Sequence, residues 1–413
     1  MFAGKVRGWN MAIADDPAAT ANPASSRASA GAPRPRTAAA AGEVDIRPAD
    51  KLLAKRDFVD VPFKLHGSDP KWAPPLRFSV YDRLSKRHPA RSHQTWALWT
   101  ARQGGKLVGR IGACVDSLFN ESQEEPWAWV GFFDSIDDTA VSGRLFQVAL
   151  DWSARQGAKV AVGPANFTTN DELGLLVEGF DEPATLLTLE NPEYYEGLWA
   201  SGGWEQAMDL YGYKFLREAT NLSDRQKRVI ERIRERLNVQ VRQLNMKDFD
   251  ADVGRFFDLY NKIWSRNWGF VPMPEAEVRH LAKQIKTMIN PRWAFALERD
   301  GDLQGVCLAV PDANQVMLKV RSGRLFPTGW FPLLFEMKKV KRVRVLILGV
   351  RHDVENLGLG PVLYGEIVRR LYEDGVEMAE ASWTLATNHR INKQLEDMGA
   401  TRYKTWRLYR HAL

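Results

Sequence analysis

The chain has 413 residues, 45% of them hydrophobic and 26% charged, a composition typical of a folded protein with more than one domain. Its two cysteines, Cys114 and Cys307, lie far apart in separate apolar runs, which argues against a disulfide-stabilised secreted module. No stretch reaches the roughly 18 apolar residues of a membrane-spanning helix. These features predict a cytoplasmic protein, and the modest net charge of +6 does not suggest a nucleic-acid partner.

Residues 1–43 are rich in Ala, Pro, Ser and Arg and lack the apolar periodicity that builds a core. We predict a disordered tail there, followed by an N-terminal domain at residues 44–220 and a C-terminal domain at residues 221–413.

The two halves of the chain resemble each other at an offset of about 197 residues. "TWALWTARQGGKLVG" (95–109) matches "RWAFALERDGDLQG" (292–305), and both predict a β-hairpin. "VDIR" (44–47) matches "VQVR" (239–242), with helices expected before the hairpin in each copy. The predicted fold class is therefore α/β (α+β), with two tandem domains that each have a mixed central sheet flanked by helices.

The stretch "LILGVRHDVENLGLGPVLYGEIVRRLYEDG" (346–375) predicts a strand, a glycine-containing loop and a helix. The N-terminus of such a helix favours an anion, most often phosphate. A P-loop is excluded because Pro361 follows Gly360 where Lys is required. Two other interpretations of this loop remain open: a dinucleotide site with Glu380 as its ribose-binding acid, and a plain connection with Pro361 at the first helical position.

Two further stretches carry candidate substrate-binding residues. "GPANFTTNDELGLLVEGFDEP" (163–183) predicts either a site wall or a loop of turn-forming residues. "NKIWSRNWGFVPM" (261–273) predicts either an apolar acceptor channel or a packed lid. Asp171 or Glu172 is a candidate general base. The residues expected to contact substrate are Asn170, Tyr194, Tyr195, Trp264, Asn267, Trp268 and Trp383.

The chain has 15 tryptophans and two basic segments, "EMKKVKRVRV" (336–345) and "DRQKRVIERIRERL" (224–237). Tryptophan and basic residues both suit a membrane interface, so these features predict peripheral contact with anionic lipid, or with an anionic substrate. A solvated helix face is the alternative for the second segment.

The order of predicted elements resembles the GNAT superfamily of acyl-coenzyme A dependent N-acyltransferases, in a tandem form that covers about residues 44–413. In that superfamily the motif Gln/Arg-x-x-Gly-x-Gly/Ala binds the coenzyme A pyrophosphate through backbone amides. Here it corresponds to residues 355–360, in which Glu355 replaces the basic or amide residue. The resemblance implies the cofactor-binding residues Gly349, Val350, Leu357, Gly358, Leu359, Gly360 and Asn388, with the Gly349–Val350 backbone near the oxyanion and Asn388 near the pantetheine arm.

The same resemblance implies that Glu380 is the general base. Many GNAT enzymes have a Tyr as general acid seven residues after the Asn, but Leu395 stands there, so that role is either vacant or filled by Tyr403 or Tyr409. The first copy has no Gly-x-Gly motif and has Asp134, Asp137 and Asp138 near the matching place, where they would repel phosphate. Only the second domain is therefore expected to bind acyl-coenzyme A, as a co-substrate and with no permanently bound cofactor.

The motifs "VPFKLHGSDPKWAPPL" (61–76), "NPEYYEGL" (191–198) and "EASWTLATN" (380–388) resemble the tandem GNAT family that includes bacterial ceramide synthases. That resemblance implies transfer of a fatty acyl group to the amine of sphinganine or 3-ketosphinganine. Acylation of an amino acid or another small amine, and a non-catalytic acyl-coenzyme A binding protein, are the alternatives. His-Glu-x-x-His, His-x4-Asp and Gly-x-Ser-x-Gly motifs are absent from the sequence, so no metal site, glycerolipid acyltransferase or serine hydrolase is expected.

Overall fold

The computed structural model describes residues 43–121, 123–219, 222–265 and 267–413, so all but the last residue of the predicted tail at 1–43 lies outside the described residues. The described chain forms two compact units. The N-terminal unit comprises residues 43–210, 313–338 and 404–413, and the C-terminal unit comprises residues 211–312 and 339–403.

The elements follow the chain order expected from the repeated halves. Those of the first half are β1 (Val44–Pro48), α1 (Leu52–Leu65), α2 (Arg77–Arg83), β2 (Gln94–Gln103), β3 (Lys106–Asp116), α3 (Ser117–Asn120), β4 (Trp127–Ser135), α4 (Thr139–Arg155), β5 (Val160–Gly163), β6 (Leu175–Glu178), α5 (Tyr195–Ser201) and β7 (Glu205–Leu216). Those of the second half are α6 (Asp224–Arg236), β8 (Gln240–Gln243), α7 (Phe249–Trp264), α8 (Glu275–Ile285), β9 (Ala294–Arg299), β10 (Asp302–Pro311), α9 (Asn314–Met317), α10 (Trp330–Glu336), β11 (Arg342–Val350), α11 (Leu359–Glu373), β12 (Met378–Leu385), α12 (His389–Asp397) and β13 (Thr401–Ala412).

The N-terminal unit is built on a mixed sheet with strand order β1-β2-β3-β4-β5-β13, and β6 pairs with β13 as well. β4 and β5 are parallel, whereas β1–β2, β2–β3, β3–β4 and β5–β13 are antiparallel. Helices α1 and α4 pack on this sheet. The core between them is aromatic: Phe133 and Phe146 stack at 4.9 Å between ring centroids, and Trp199 is fully buried beside both.

The C-terminal unit is built on a mixed sheet with strand order β7-β12-β11-β10-β9-β8. β11 and β12 are parallel, whereas β8–β9, β9–β10 and β10–β11 are antiparallel. Helices α7 and α11 pack on β10 and β11, and α6 packs on α11. The predicted mixed sheets flanked by helices are thus confirmed in both units.

Both predicted hairpins are present, and each has a two-residue turn. The turn residues Gly104–Gly105 in the first copy and Asp300–Gly301 in the second all have positive φ, between 53° and 84°. Two successive residues with positive φ give the turn whose twist matches paired antiparallel strands, and glycine adopts this conformation without steric cost. The aligned glycines of the repeat therefore mark equivalent turns.

The compact units differ from the predicted domains 44–220 and 221–413, because residues 211–219 lie in the C-terminal unit and two segments of the second half belong to the N-terminal unit. One is the connection 313–338 between β10 and β11, and the other is residues 404–413 of β13. Lys404 of β13 is 1% exposed and donates hydrogen bonds to the carbonyls of Gly179 and Glu182, at 2.5 and 2.6 Å. These buried polar contacts bind β13 into the core of the N-terminal unit.

Candidate active site

Strands β11 and β12 separate in the C-terminal unit. Their parallel pairing runs from Arg342 opposite Met378 to Val345 opposite Ala381, whereas the strands themselves continue to Val350 and Leu385. Beyond Val345 and Ala381, the backbones of β11 and β12 are no longer paired with each other. Between separated strands an extended ligand can hydrogen-bond to backbone groups, and we refer to the space between these two strands as the cleft.

A β-bulge lies where the separation begins. Leu308 of β10 pairs with Ile347 but Ala309 pairs with Val345, so Leu346 is an extra residue in β11. A bulge removes a residue from the regular ladder and redirects its backbone groups. No pattern in the sequence predicts this bulge, which adds the backbone at Leu346 to the candidate oxyanion donors.

The predicted oxyanion residues lie a few positions further along β11. Gly349 and Val350 are opposite Val306 and Gly305 in the antiparallel ladder with β10. Because alternate residues of such a strand direct their N–H groups to opposite sides, one of the two N–H groups points away from β10. Their role as oxyanion donors remains a prediction.

Glu380, the predicted base, lies at the closed end of this cleft. It is fully buried on β12, directly opposite Arg344 in the parallel ladder. The Tyr403 hydroxyl donates a 2.7 Å hydrogen bond to its Oε1 atom. Burial raises the pKa of Glu380, and the nearby Asp312 carboxylate adds to this rise, while Arg344 and Tyr403 oppose it.

This arrangement suits acid–base chemistry. A carboxylate with a raised pKa is a stronger base than an ordinary glutamate and accepts a proton more readily near neutral pH. The phenol of Tyr403 lies within hydrogen-bond distance of that carboxylate, so a proton can pass between the two groups. Of the two tyrosines considered for the general acid, Tyr403 is thus the one that contacts Glu380.

Arg344, Asp312 and the Glu380–Tyr403 contact were not recognised as a cluster in the sequence. Arg344 is 4% exposed and donates to the carbonyl of Ser382 at 3.1 Å, and Asp312 is 1% exposed and lies 3.5 Å from Arg342. The signal was the alternation of Arg342 and Arg344 in an otherwise apolar strand, because buried cations require partners on neighbouring strands.

The glycine loop leads into α11 through a 3-10 helix, His352–Leu357, and Gly358. Gly358 is left-handed, with φ of 85°, and serves as the helix N-cap, where no side chain of the described residues caps the first turn. Within the part of the chain that the structure describes, no side-chain cap competes with an anion at this turn, and anion binding there remains a prediction. Leu357 and Gly358 are partly exposed, whereas Leu359 and Gly360 are buried in the first turn.

Two neighbours modify this loop. Glu355, which replaces the basic or amide residue of the motif, lies with its Oε2 atom 3.6 Å from His352 Nδ1. Ile233 of α6 packs over Gly358, where an added Cβ would come within 3.2 Å of its Cδ1 atom. A larger residue at position 358 would therefore require the Ile233 side chain to shift by a few tenths of an ångström.

The corresponding loop of the N-terminal unit is closed to anions. Asp138 is the N-cap of α4 and accepts a 2.8 Å hydrogen bond from the Ala140 amide, so its own carboxylate occupies the helix terminus. Asp134 binds Arg110 Nε at 2.6 Å and His66 Nε2 at 2.8 Å. Burial alone would raise the pKa of Asp134, but Arg110 and His66 outweigh it and lower that pKa.

The tyrosines at the start of α5 belong to this same network. The Tyr194 hydroxyl donates to the Ser135 carbonyl at 2.8 Å, and the Tyr195 hydroxyl accepts from the Ser135 amide at 2.9 Å. Burial raises the pKa of both phenols, and Asp134 adds to the effect. Both residues thus brace the end of β4, and their predicted contact with substrate remains a prediction.

The structure brings together the predicted polar residues of the 163–183 stretch. Asp171 accepts from Arg83 at 2.9 Å, Glu172 accepts from Asn166 at 2.8 Å, and the Asn170 amide donates to Thr168 at 2.9 Å. Asp171 is therefore already engaged in an ion pair with Arg83.

Tyr409, the other general-acid candidate, lies in the N-terminal core. It is 5% exposed and stacks on Trp199 at 5.5 Å between ring centroids. Burial is the largest factor raising its pKa.

In the C-terminal unit, the predicted acceptor residues form part of an aromatic surface at the end of α7. Trp264 stacks on Tyr260 at 4.8 Å, and the Asn267 amide donates to the Trp264 carbonyl at 2.9 Å. Trp268 is partly buried in the same turn, and Trp383 is partly buried on β12 just after Glu380. Asn388 is the N-cap of α12 and accepts a hydrogen bond from the Ile391 amide at 3.2 Å.

Within the described residues, no helix is both long enough and apolar enough to cross a bilayer. No family model matches the chain.

Several known proteins are similar to the chain. The bacterial ceramide synthase of Caulobacter vibrioides (strain NA1000 / CB15N) is 33% identical over 381 residues, which span 90% of this chain and 98% of that protein. Protein YghO of Escherichia coli (strain K12) is 32% identical over 367 residues, 87% of this chain and 93% of that protein.

Solved structures show the same fold. A tandem GNAT protein from the clavulanic acid biosynthesis pathway matches 90% of this chain and 98% of its own, with a TM-score of 0.51 at 12% identity. A GCN5-related N-acetyltransferase from Sphaerobacter thermophilus matches 89% of this chain and 95% of its own, with a TM-score of 0.50 at 11% identity.

The fold and its relatives define a tandem GNAT protein of the N-acyltransferase class, which confirms the predicted fold and class of enzyme. At 33% identity over nine-tenths of its length, the chain belongs to the family of the bacterial ceramide synthase.

Proposed function

We propose that this protein transfers a long-chain fatty acyl group from acyl-coenzyme A to the amine of a sphingoid base, either sphinganine or 3-ketosphinganine. The observation that carries the proposal is the buried Glu380–Tyr403 pair at the closed end of the cleft between β11 and β12. The similarity to a bacterial ceramide synthase supports this choice of acceptor.

The donor would bind along the C-terminal unit. Its pyrophosphate would accept hydrogen bonds from backbone amides at Leu357, Gly358 and the first turn of α11. Its pantetheine arm would lie in the cleft beside β11, with Asn388 at the other end of the separated strands. The thioester carbonyl would then lie near the backbone of residues 346–350.

The chemical step needs one proton removed and one supplied. The amine nitrogen attacks the thioester carbonyl carbon, and Glu380 takes the proton that the nitrogen loses, directly or through water. Backbone N–H groups of β11 stabilise the oxyanion. The carbon–sulfur bond then breaks, and the leaving thiolate takes a proton from Tyr403, which its contact with Glu380 allows to be reprotonated.

The acceptor is a lipid, so the protein must reach a membrane surface. We propose a cytoplasmic protein that associates peripherally with the inner membrane. The aromatic surface at Tyr260 and Trp264 supports passage of an apolar acceptor to the C-terminal unit, because indole and phenol rings accommodate long alkyl chains.

The test follows free thiol release from palmitoyl-coenzyme A with sphinganine, 3-ketosphinganine, glycine or no amine, with product masses measured in parallel. We expect release that depends on a sphingoid base and gives an amide-linked product. Release with glycine alone would instead identify an amino-acid acyltransferase. Tight binding of palmitoyl-coenzyme A without release with any of these amines would identify a non-catalytic binding protein.

A further inference from the structure

The connection between β10 and β11 starts with residues that are hydrogen-bonded and packed against the N-terminal unit, and it continues into a segment with exposed apolar side chains. Arg321 donates to the carbonyls of Gly67, Asp69 and Trp72 at 2.5–2.8 Å. Gly323, with φ of 62°, packs so closely on Phe63 that an added Cβ would lie 2.6 Å from its ring. Both contacts join the connection to α1 and the loop after it within the N-terminal unit. The residues before position 325 are therefore held in place by the rest of that unit.

Beyond position 324 the segment exposes large apolar side chains. Every residue of α10 retains solvent exposure. The exposed apolar side chains, with their exposed fractions, are Phe326 (75%), Trp330 (43%), Phe331 (56%), Leu334 (57%) and Phe335 (50%). We call these five residues the apolar surface; a contiguous exposed patch of this kind marks an interaction site.

Three rings of this surface, those of Trp330, Phe331 and Phe335, form one cluster. Phe331 lies 4.6 Å from Phe335 and 5.9 Å from Trp330 between ring centroids. The Trp330 indole N–H donates to the Pro327 carbonyl at 2.9 Å, which holds the indole in place. A cavity of about 710 Å³ lies beside it, lined by residues 319–322 and 327–332.

The charge around the apolar surface is positive. Residues 319–338 contain the cations Lys319, Arg321, Arg324 and Lys338, and one acid, Glu336, which pairs with Lys319. Arg324 and Lys338 are exposed at the two ends of the apolar surface. Aromatic side chains next to exposed cations are the composition of segments that lie in the headgroup region of anionic bilayers.

We infer that the segment 325–338 inserts its apolar surface into an anionic lipid bilayer, with Arg324 and Lys338 at the headgroups. A second copy of the chain fits less well, because a symmetric contact through this surface would bring like charges together. α10 has seven residues, which suits insertion into one leaflet and not a span. The inference concerns where the protein docks and does not depend on which amine it acylates.

The test measures sedimentation of the full chain with vesicles of phosphatidylcholine alone or mixed with phosphatidylglycerol. Phe331→Ser/Phe335→Ser should lower the partition coefficient for the mixed vesicles by about ten-fold or more, because two large apolar side chains are lost. The matched control is Leu52→Ser/Leu53→Ser, which removes two side chains that are 81% and 73% exposed elsewhere in the same unit. The control should bind as the wild type does.

Two further measurements separate the contribution of the cations from the depth of insertion into the bilayer. Lys338→Glu should weaken binding to the mixed vesicles and leave binding to phosphatidylcholine unchanged. Both native cysteines are buried, so a polarity-sensitive dye on Phe331→Cys reports one site. Its emission should shift to the blue with mixed vesicles, whereas the same dye on Leu53→Cys should not respond.

Three outcomes would overturn the inference: wild-type protein that stays in the supernatant with mixed vesicles, equal loss of binding in both double variants, or an unchanged dye at position 331. Sedimentation velocity without lipid tests whether a second copy of the chain binds the apolar surface instead. A wild-type dimer that becomes monomeric in Phe331→Ser/Phe335→Ser would show that this surface is an interface between copies. Thiol release with sphinganine in detergent micelles is measured alongside. If the protein releases thiol but does not bind the vesicles, only the docking inference is wrong. If it binds the vesicles but forms no amide product, only the proposed function is wrong.

Discussion

Glu380 combines complete burial with a hydrogen bond from a phenol, and these two features shift its pKa in opposite directions. Burial disfavours the carboxylate and raises its pKa, while the Tyr403 donor favours the carboxylate and limits that rise. The folded protein therefore binds this proton more tightly than an exposed glutamate does. The stability contributed by the protonated form is present at low pH and is lost as the pH rises through the raised pKa.

Glu380→Gln should abolish the base without weakening the fold. We expect kcat for amide formation to fall by about 10²–10⁴-fold, the usual contribution of a general base. Because glutamine cannot ionise, the free energy of unfolding at pH 8 should equal or exceed that of the wild type. The matched control is Glu377→Gln, three residues earlier and 62% exposed, which should leave kcat unchanged. Steady-state kinetics and urea denaturation together give the result; unchanged kcat would remove Glu380 from the mechanism.

Tyr403→Phe should shift the pH dependence. Loss of the hydroxyl removes a hydrogen bond to the carboxylate, so the pKa of Glu380 should rise further. The acidic limb of kcat/KM against pH, which falls as the base becomes protonated, should therefore move to higher pH. Tyr409→Phe should leave that limb in place, because Tyr409 lies in the N-terminal core against Trp199. An acidic limb that moves equally in both variants would argue against the specific contact.

At the residue scale, sequence reasoning predicted Glu380 as the base and Tyr403 as one of two acid candidates from the resemblance to GNAT enzymes, and both roles remain predictions. It missed Arg344 and Asp312, which approach Glu380 only through cross-strand register and loop packing. A contact made across a sheet has no fixed spacing in the sequence, so a single chain does not reveal it.

At the scale of elements, the strand–loop–helix unit around β11 and α11 was predictable because strand period, glycine and helix period change in order along the sequence. The bulge at Leu346 was not, since "VLILGV" reads as a regular buried strand. The two copies differ at this unit in a way that the sequence partly indicated. Asp138 closes the N-terminus of α4, whereas Gly358 leaves that of α11 without a side-chain cap among the described residues.

Gly358→Ala tests the loop, with Gly375→Ala as its matched control. Both glycines are left-handed, with φ of 85° and 74°, so alanine at either should lower the free energy of unfolding by about 1–2 kcal/mol. At position 358 an added Cβ also meets Ile233, whereas nothing lies within 4 Å at position 375. Only Gly358→Ala should weaken palmitoyl-coenzyme A binding, by about ten-fold or more, because only it displaces the loop amides. Calorimetric titration measures the affinity, and equal affinities would exclude this loop as the anion site.

At the scale of the whole molecule, the described residues form two compact units, and the sequence predicted the duplication but not the exchange of segments between the halves. The hairpin turns repeat visibly in the sequence, whereas the assignment of residues 313–338 and 404–413 to the N-terminal unit depends on tertiary contacts such as those of Arg321 and Lys404. Local patterns carry no information about which sheet a distant strand joins.

Asp134→Asn should destabilise the N-terminal unit and spare donor binding. The substitution leaves Arg110 and His66 buried without their carboxylate, which costs about 3–5 kcal/mol. Because the pKa of Asp134 is lowered, this stabilisation is present above the ordinary pKa of an aspartate and is lost as the pH falls through the lowered value. The difference between variant and wild type should therefore disappear only in strong acid.

Urea denaturation followed by tryptophan fluorescence measures this effect, since most of the described tryptophans lie in the N-terminal unit. The control Asp137→Asn changes an exposed residue of the same loop and should leave the urea midpoint unchanged. Palmitoyl-coenzyme A affinity without urea should remain at the wild-type value in both variants. Loss of that affinity in Asp134→Asn would place part of the donor site in the N-terminal unit.

The position of β13 has a consequence for synthesis of the protein. The N-terminal unit begins at β1, yet the partner of β5 and β6 is supplied by residues 404–412. At about 5–20 residues per second, a ribosome needs about 10–40 s after residue 210 to reach that strand. Through this interval the edge of β5 and the cavity later filled by Trp406 and Tyr409 stay open, so the nascent chain is a client for chaperones until the late strand arrives.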